Sequence, residues 1–125
     1  MRNFGCSSCG TRIYFQNVKC LTCLHDVGFD PVQLKMMALA PEADDATAFK
    51  QVGQPEIAAV RYCLNRQHGA CNWLTPAEGG NGFCVACNMN RTIPNLSEVG
   101  NLSAWRDVER AKKRLVYSLF RLDLP

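Results

Sequence analysis

Cys6-Ser7-Ser8-Cys9-Gly10 is followed, with ten residues between Cys9 and Cys20, by Cys20-Leu21-Thr22-Cys23. A Cys-x2-Cys turn aims two sulfurs at one point, because the intervening backbone amides curl around the ligand. A tetrahedral ion needs two such turns. Between the pairs, Thr11-Arg12-Ile13-Tyr14-Phe15 is β-branched and aromatic, Gln16-Asn17 suits a turn, and Val18-Lys19 leads back, so the stretch is expected to be a ribbon hairpin. Gly10 suits the positive φ that a metal knuckle requires. Cys6, Cys9, Cys20 and Cys23 therefore form a four-thiolate site suited to Zn2+, with rubredoxin-like iron as the lesser alternative.

Four more cysteines follow, Cys63, Cys71, Cys84 and Cys87, of which only the last two share a Cys-x2-Cys turn. Cys63 ends the apolar run Ile57-Ala58-Ala59-Val60-Arg61-Tyr62 and Cys71 opens Asn72-Trp73-Leu74, so two short strands could carry these thiols together. The stretch Ala77-Glu78-Gly79-Gly80-Asn81-Gly82 has turn composition. His68 is a fifth candidate for four positions, although a histidine on a glycine-containing turn is more often solvated than ligating. Four thiolates close the sphere of an ion and load it with negative charge, which suits a structural site and opposes Lewis-acid catalysis. No general base stands beside either quartet. Redox use of a Cys-x2-Cys pair wants a βαβ setting that is missing here.

Eight cysteines in 125 residues far exceed ordinary usage, and so short a chain cannot build a large core, so metal is expected to substitute for part of it. The first residues hold no apolar run of signal-peptide length and no stretch approaches a membrane span, which predicts a cytoplasmic protein with reduced thiols. The formal charge of +3 is no guide to partners. Eight thiols that lose their protons to two divalent ions would take it to −1. Its distribution says more: residues 103–125 hold six Lys and Arg against three Asp and Glu, and the preceding residues hold eight of each.

That C-terminal segment is the clearest helix. Ser103 is the expected N-cap, and Trp105, Val108, Ala111, Leu115, Leu119 and Leu122 recur as one apolar stripe. Arg106, Arg110, Lys113 and Arg114 form a candidate partner surface beside it, diluted by Asp107 and Glu109. Trp73 and Trp105 are expected as core anchors. Residues 33–40 are an apolar segment of ambiguous period, strand or short helix. Pro41-Glu42-Ala43-Asp44-Asp45-Ala46 is expected to be a solvated acidic linker. His25, two residues past a knuckle, is expected at the surface.

Several segments together resemble the N-terminal zinc-ribbon region of a bacterial zinc-binding metallopeptidase family: Cys6-Ser7-Ser8-Cys9-Gly10, Val27-Gly28-Phe29-Asp30-Pro31, Tyr62-Cys63-Leu64-Asn65, Cys71-Asn72-Trp73-Leu74, Asn90-Arg91-Thr92-Ile93-Pro94-Asn95-Leu96 and Arg114-Leu115-Val116-Tyr117. The resemblance implies Cys63 and Cys71, rather than His68, as ligands. It implies no peptidase activity here, since the His-Glu-x-x-His motif of the longer members is not found; the histidines of this chain are His25 and His68. Leu24 departs from the pattern, standing where a second glycine is expected after the knuckle.

The expected architecture is small α+β: two four-cysteine zinc-ribbon-like β units with a C-terminal amphipathic helix. Residues 1–34 form the first ribbon, 35–60 a connection, 61–98 the second zinc-binding unit and 99–125 a helix on the zinc body. Two function classes fit. One is a non-catalytic module that serves a protein partner or a peptidase-like region; the other is a nucleic-acid-binding zinc ribbon, which is not favoured because cations alone do not define a base-binding site.

Overall fold

A computed structural model of the chain describes residues 4–42, 47–54, 56–90 and 95–123. It is small α+β, with two antiparallel sheets, two four-cysteine clusters and one C-terminal helix among the described residues. Strands β1 (Phe4–Gly5) and β2 (Arg12–Ile13) form a two-stranded ribbon. A five-stranded sheet follows in sequence order: β3 (Asp26–Asp30), β4 (Lys35–Pro41), β5 (Phe49–Gln51), β6 (Val60–Tyr62) and β7 (Leu74–Pro76). Helix α1 spans Asn101–Arg121.

The first ribbon pairs differently from expectation. Arg12–Ile13 pairs with Phe4–Gly5, whereas Lys19 bridges Asp26 and the Val27 amide donates to Val18 O. A turn closed by Asn17 N to Tyr14 O sends the return arm away from β2 and into register with β3.

The ambiguous segment is strand β4, and its period is hidden because both faces are buried. Met36, Met37, Ala38 and Leu39 are each 2% exposed or less, giving the unbroken apolar run of a strand covered on two sides. Register assigns the faces. Val27 and Phe29, opposite Ala38 and Met36, join the main core with Trp73. Met37 and Leu39 pack with Leu74 on the other face.

The sheet bends until its two ends meet. The Phe29 amide donates to Asn72 O at 2.9 Å, and Phe29 forms a parallel bridge with Trp73. Gly28 permits that approach, since a Cβ there would fall 2.6 Å from Leu74 Cδ2 and 3.0 Å from Asn72 O.

Five aromatic rings tie the parts together. Phe4 and Phe15 come from the first ribbon, Phe29 from β3, Trp73 from the second unit and Tyr117 from α1. Their neighbouring centroids lie between 4.7 Å (Phe29–Trp73) and 6.1 Å (Phe15–Trp73), the range for favourable edge and tilted contacts. Asn72 adds a polar tie by donating from Nδ2 to both Phe15 O and Asn17 O.

Helix α1 begins before Ser103. Gly100, at φ +86°, is its N-cap and Ser103 lies in the first turn. The buried face also differs from the expected stripe: Trp105, Glu109, Lys113, Val116 and Tyr117 are buried, while Val108, Leu115 and Leu122 are 64%, 59% and 69% exposed. A buried ion pair at Glu109 and Lys113 selects this face, and an apolar-period reading places such residues outward. Residues 43–46 of the expected acidic linker and 91–94 of the Asn-Arg-Thr-Ile-Pro motif lie outside the described residues.

Candidate metal centres

The eight thiols gather into two clusters, Cys6, Cys9, Cys20 and Cys23, and Cys63, Cys71, Cys84 and Cys87, with each cluster's sulfurs within 4.8 Å of one another. Sulfur–sulfur separations are 3.6 Å for Cys6–Cys23 and Cys9–Cys20 and 3.7 Å for Cys71–Cys84. These are far too long for disulfide bonds. Zinc–sulfur bonds of about 2.3 Å give tetrahedral sulfur–sulfur edges near 3.8 Å, close to these separations, so both clusters are sized for a zinc ion.

In the first centre, two turns of the same construction supply the sulfurs. Gly10 N donates to Cys6 O and Leu24 N to Cys20 O, both at 2.8 Å, with φ of +80° and +65°. The turn after Cys23 thus has the geometry a glycine would take, held by leucine at a conformational cost. Thr11 lies beside Cys9, hydroxyl to sulfur 3.2 Å. Its hydroxyl and then its amide pull the Cys9 thiol down to about 6, which favours the thiolate a metal requires. His25 places Nδ1 3.3 Å from Cys23 Sγ, outside the coordination sphere. Cys9 is exposed and Cys23 half-buried.

The second centre is enclosed, with all four cysteines buried. Cys63 directly follows β6 and Cys71 lies three residues before its antiparallel partner β7, with Cys63 N donating to Trp73 O at 2.9 Å. The other pair lies on the turn entering a short 3-10 helix, Cys87–Met89. Amides point at the sulfurs: Trp73 N at Cys71 Sγ (3.4 Å) and Cys87 N at Cys84 Sγ (3.3 Å). His68 belongs to neither cluster; its ring packs on Trp105 with centroids 5.7 Å apart.

Helix α1 supplies a group that the sequence pattern hides. Lys113 is buried, not part of an exposed cationic row, and its Nζ sits 2.9 Å from Glu109 Oε2. Burial alone would depress this ammonium, but the Cys71 thiolate, the Glu109 carboxylate and the Cys87 thiolate outweigh it and hold Lys113 above its ordinary range. Burial likewise opposes the Glu109 charge, and Lys113 and Lys112 overcome it, holding the carboxyl low. Trp105 Nε1 and Asn90 Nδ2 also donate to Glu109 Oε1 at 3.2 and 3.0 Å, and Lys112 donates to Asn90 Oδ1. A four-thiolate zinc centre carries a formal charge of about −2, so a buried ammonium beside it lowers the cost of enclosing that charge. The i, i+4 spacing of Glu109 and Lys113 on the Trp105 face is the one trace of this arrangement in the sequence.

Of the remaining expected surface, Arg106 donates from Nε to His68 O at 2.6 Å, Arg110 pairs with Asp107 at 3.3 Å, and Arg114 is exposed. No helix among the described residues is long and apolar enough to cross a membrane.

The chain is 31% identical over its whole length to uncharacterized proteins of Mycobacterium bovis and of two Mycobacterium tuberculosis strains. It spans about a third of the length of these relatives, 32%. No solved structure matches it. A family model described as a zinc-ribbon domain matches residues 3–98, a span that contains all eight cysteines of the two clusters. With two four-cysteine centres sized for Zn2+ inside that match, the chain belongs to the zinc-ribbon domain family.

Proposed function

We propose that this chain is a non-catalytic docking module that packs, through the free face of α1, against the peptidase-like region of a longer zinc-metallopeptidase-like protein in a reducing cytoplasm. The uncovered second apolar face of the helix carries the reading. Val108, Ala111, Leu115 and Leu122 recur on one side of α1 and are exposed, opposite the face already buried by Trp105, Val116 and Tyr117. A helix apolar on two sides is built to sit between two bodies. The occupant is supported by the relatives, whose chains run about three times as long, and by the resemblance of the Gly-Phe-Asp-Pro and Cys-Asn-Trp-Leu segments to metallopeptidase N-terminal regions.

Nothing in the module asks for catalysis. Both centres offer four sulfurs, which leaves no coordination position for water. Nucleic-acid binding is less well supported, because Lys113 is buried and Lys112 and Arg110 are in ion pairs.

The test uses a full-length mycobacterial relative and, in isolation, the third of it that matches this chain. Aspartate at the positions aligned with Val108 and Leu115 should lower the melting temperature of the full-length protein while leaving the isolated third unchanged. Equal effects in both would sink the docking role. Micromolar binding of DNA or RNA by this chain, weakening steeply with salt, would favour the nucleic-acid reading instead.

A further inference from the structure

A cleft of ≈ 250 Å³ opens where the first ribbon, the second zinc unit and α1 meet. Phe15 and Val18 form an apolar wall from the ribbon, Arg66 and Asn72 come from the second unit, and Arg110 and Lys113 from the helix. No acidic residue among those described lines it.

Its cations are not equally free. Lys113 is committed to Glu109 at 2.9 Å and lies beside the thiolates. Arg110 shares one nitrogen with the exposed Asp107 at 3.3 Å. Arg66 differs: its guanidinium packs over the Tyr62 ring, 5.2 Å from the centroid, and its buried Nε has no hydrogen-bond partner among the described residues. No acidic residue among those described pairs with Arg66, so its guanidinium is the least neutralised of the three cations.

We propose that the cleft is a binding site for a single carboxylate carried on a short apolar stem, such as an acidic side chain or the carboxyl end of a peptide. Arg66 and Arg110 hold the carboxylate, since guanidinium donors match its two oxygens, and the stem rests against Phe15 and Val18. Phosphate suits the cleft less well. Cys71 lines it, and a doubly charged group meets more repulsion from the adjacent four-thiolate centre than a singly charged one does. The site stands apart from the docking role proposed above, because Arg110 and Lys113 occupy a different side of α1 from Val108, Leu115 and Leu122.

The experiment titrates the zinc-loaded 125-residue chain with butyrate, butyramide and inorganic phosphate, following amide resonances of residues 69–72 and the Arg66 Nε–H by NMR. Butyrate is expected to bind saturably with a Kd on the order of a few mM, the range for a small charge-assisted contact. Arg66→Gln and Arg110→Gln should each weaken it by about tenfold, consistent with loss of one hydrogen bond to a charged group, at unchanged zinc content and melting temperature. The proposal is overturned if butyramide titrates equally well, if phosphate binds as tightly as butyrate, if both variants bind butyrate unchanged, or if butyrate fails to saturate by about 100 mM, a concentration well above that Kd.

Discussion

Lys113 Nζ lies 2.9 Å from the carboxylate of Glu109, one helical turn away, and both side chains are 5% exposed or less. The pair couples the helix to the second metal centre, because the same ammonium sits in the field of the Cys71 and Cys87 thiolates. Removing Glu109 leaves the buried Lys113 ammonium without its one hydrogen-bonded counter-charge, balanced only by the thiolate field. Glu109→Gln should therefore destabilise the chain by about 3–5 kcal/mol, and the double change Glu109→Gln with Lys113→Met should cost less than their separate costs combined. Thermal unfolding of the three variants decides it; additive losses would show that the two residues act independently.

The same pair fixes a pH dependence. Glu109 is held below its ordinary pKa, so its stabilisation is complete above the unfolded value of about 4.3 and disappears as pH falls through the lower folded value. Lys113 is held above its own, so its contribution is complete below about 10.4 and is lost only as pH rises beyond that. Zinc-loaded wild type should gain stability over Glu109→Gln as pH rises through the carboxylate range, and the difference should then stay level through neutrality. A difference that keeps growing between about pH 6 and 8, well above any carboxylate pKa, would exclude Glu109 as its source.

The turn after the second knuckle offers a stabilising change. Leu24 holds φ +65° and is 66% exposed, so glycine there would relieve left-handed strain while removing little burial. The relief of about 1–2 kcal/mol exceeds the chain-entropy cost of glycine, and Leu24→Gly should stabilise by about 0.5–1 kcal/mol. Gly10→Ala, at φ +80°, should destabilise by a similar amount. A lower melting temperature for Leu24→Gly would contradict this account.

Metal ligation is legible in the sequence because thiol spacing is a local property: Cys6-x2-Cys9 and Cys20-x2-Cys23 each declare a turn. The helix at 101–121 is legible for the same reason, with its length and its Trp105 anchor. Its buried face is not. Val108, Leu115 and Leu122 carry the apolar period, yet the interface is decided by Lys113 meeting a metal centre whose charge depends on folding. Strand β4 is ambiguous to a pattern reading because two-sided burial erases alternation at Met36–Leu39. The contact of β3 with Asn72 and Trp73 is long-range, and only Gly28 hints that another backbone approaches there.

The two metal centres should release zinc at different rates. In the first, Cys9 is exposed and Cys23 half-buried, so a chelator can reach the sulfurs directly. In the second, all four cysteines are buried, with Lys113 of α1 at their side. Losing that ion requires the helix to lift or the chain to open, so its rate should follow unfolding. The purified chain should carry close to two zinc ions, and a chromophoric chelator should remove them in two phases of equal amplitude. Cys9→Ser should eliminate the fast phase, whereas Trp105→Ala, expected to cost about 3–5 kcal/mol as a buried large aromatic, should accelerate the slow phase alone. A single phase, or iron in place of zinc, would contradict two closed zinc centres of unequal enclosure.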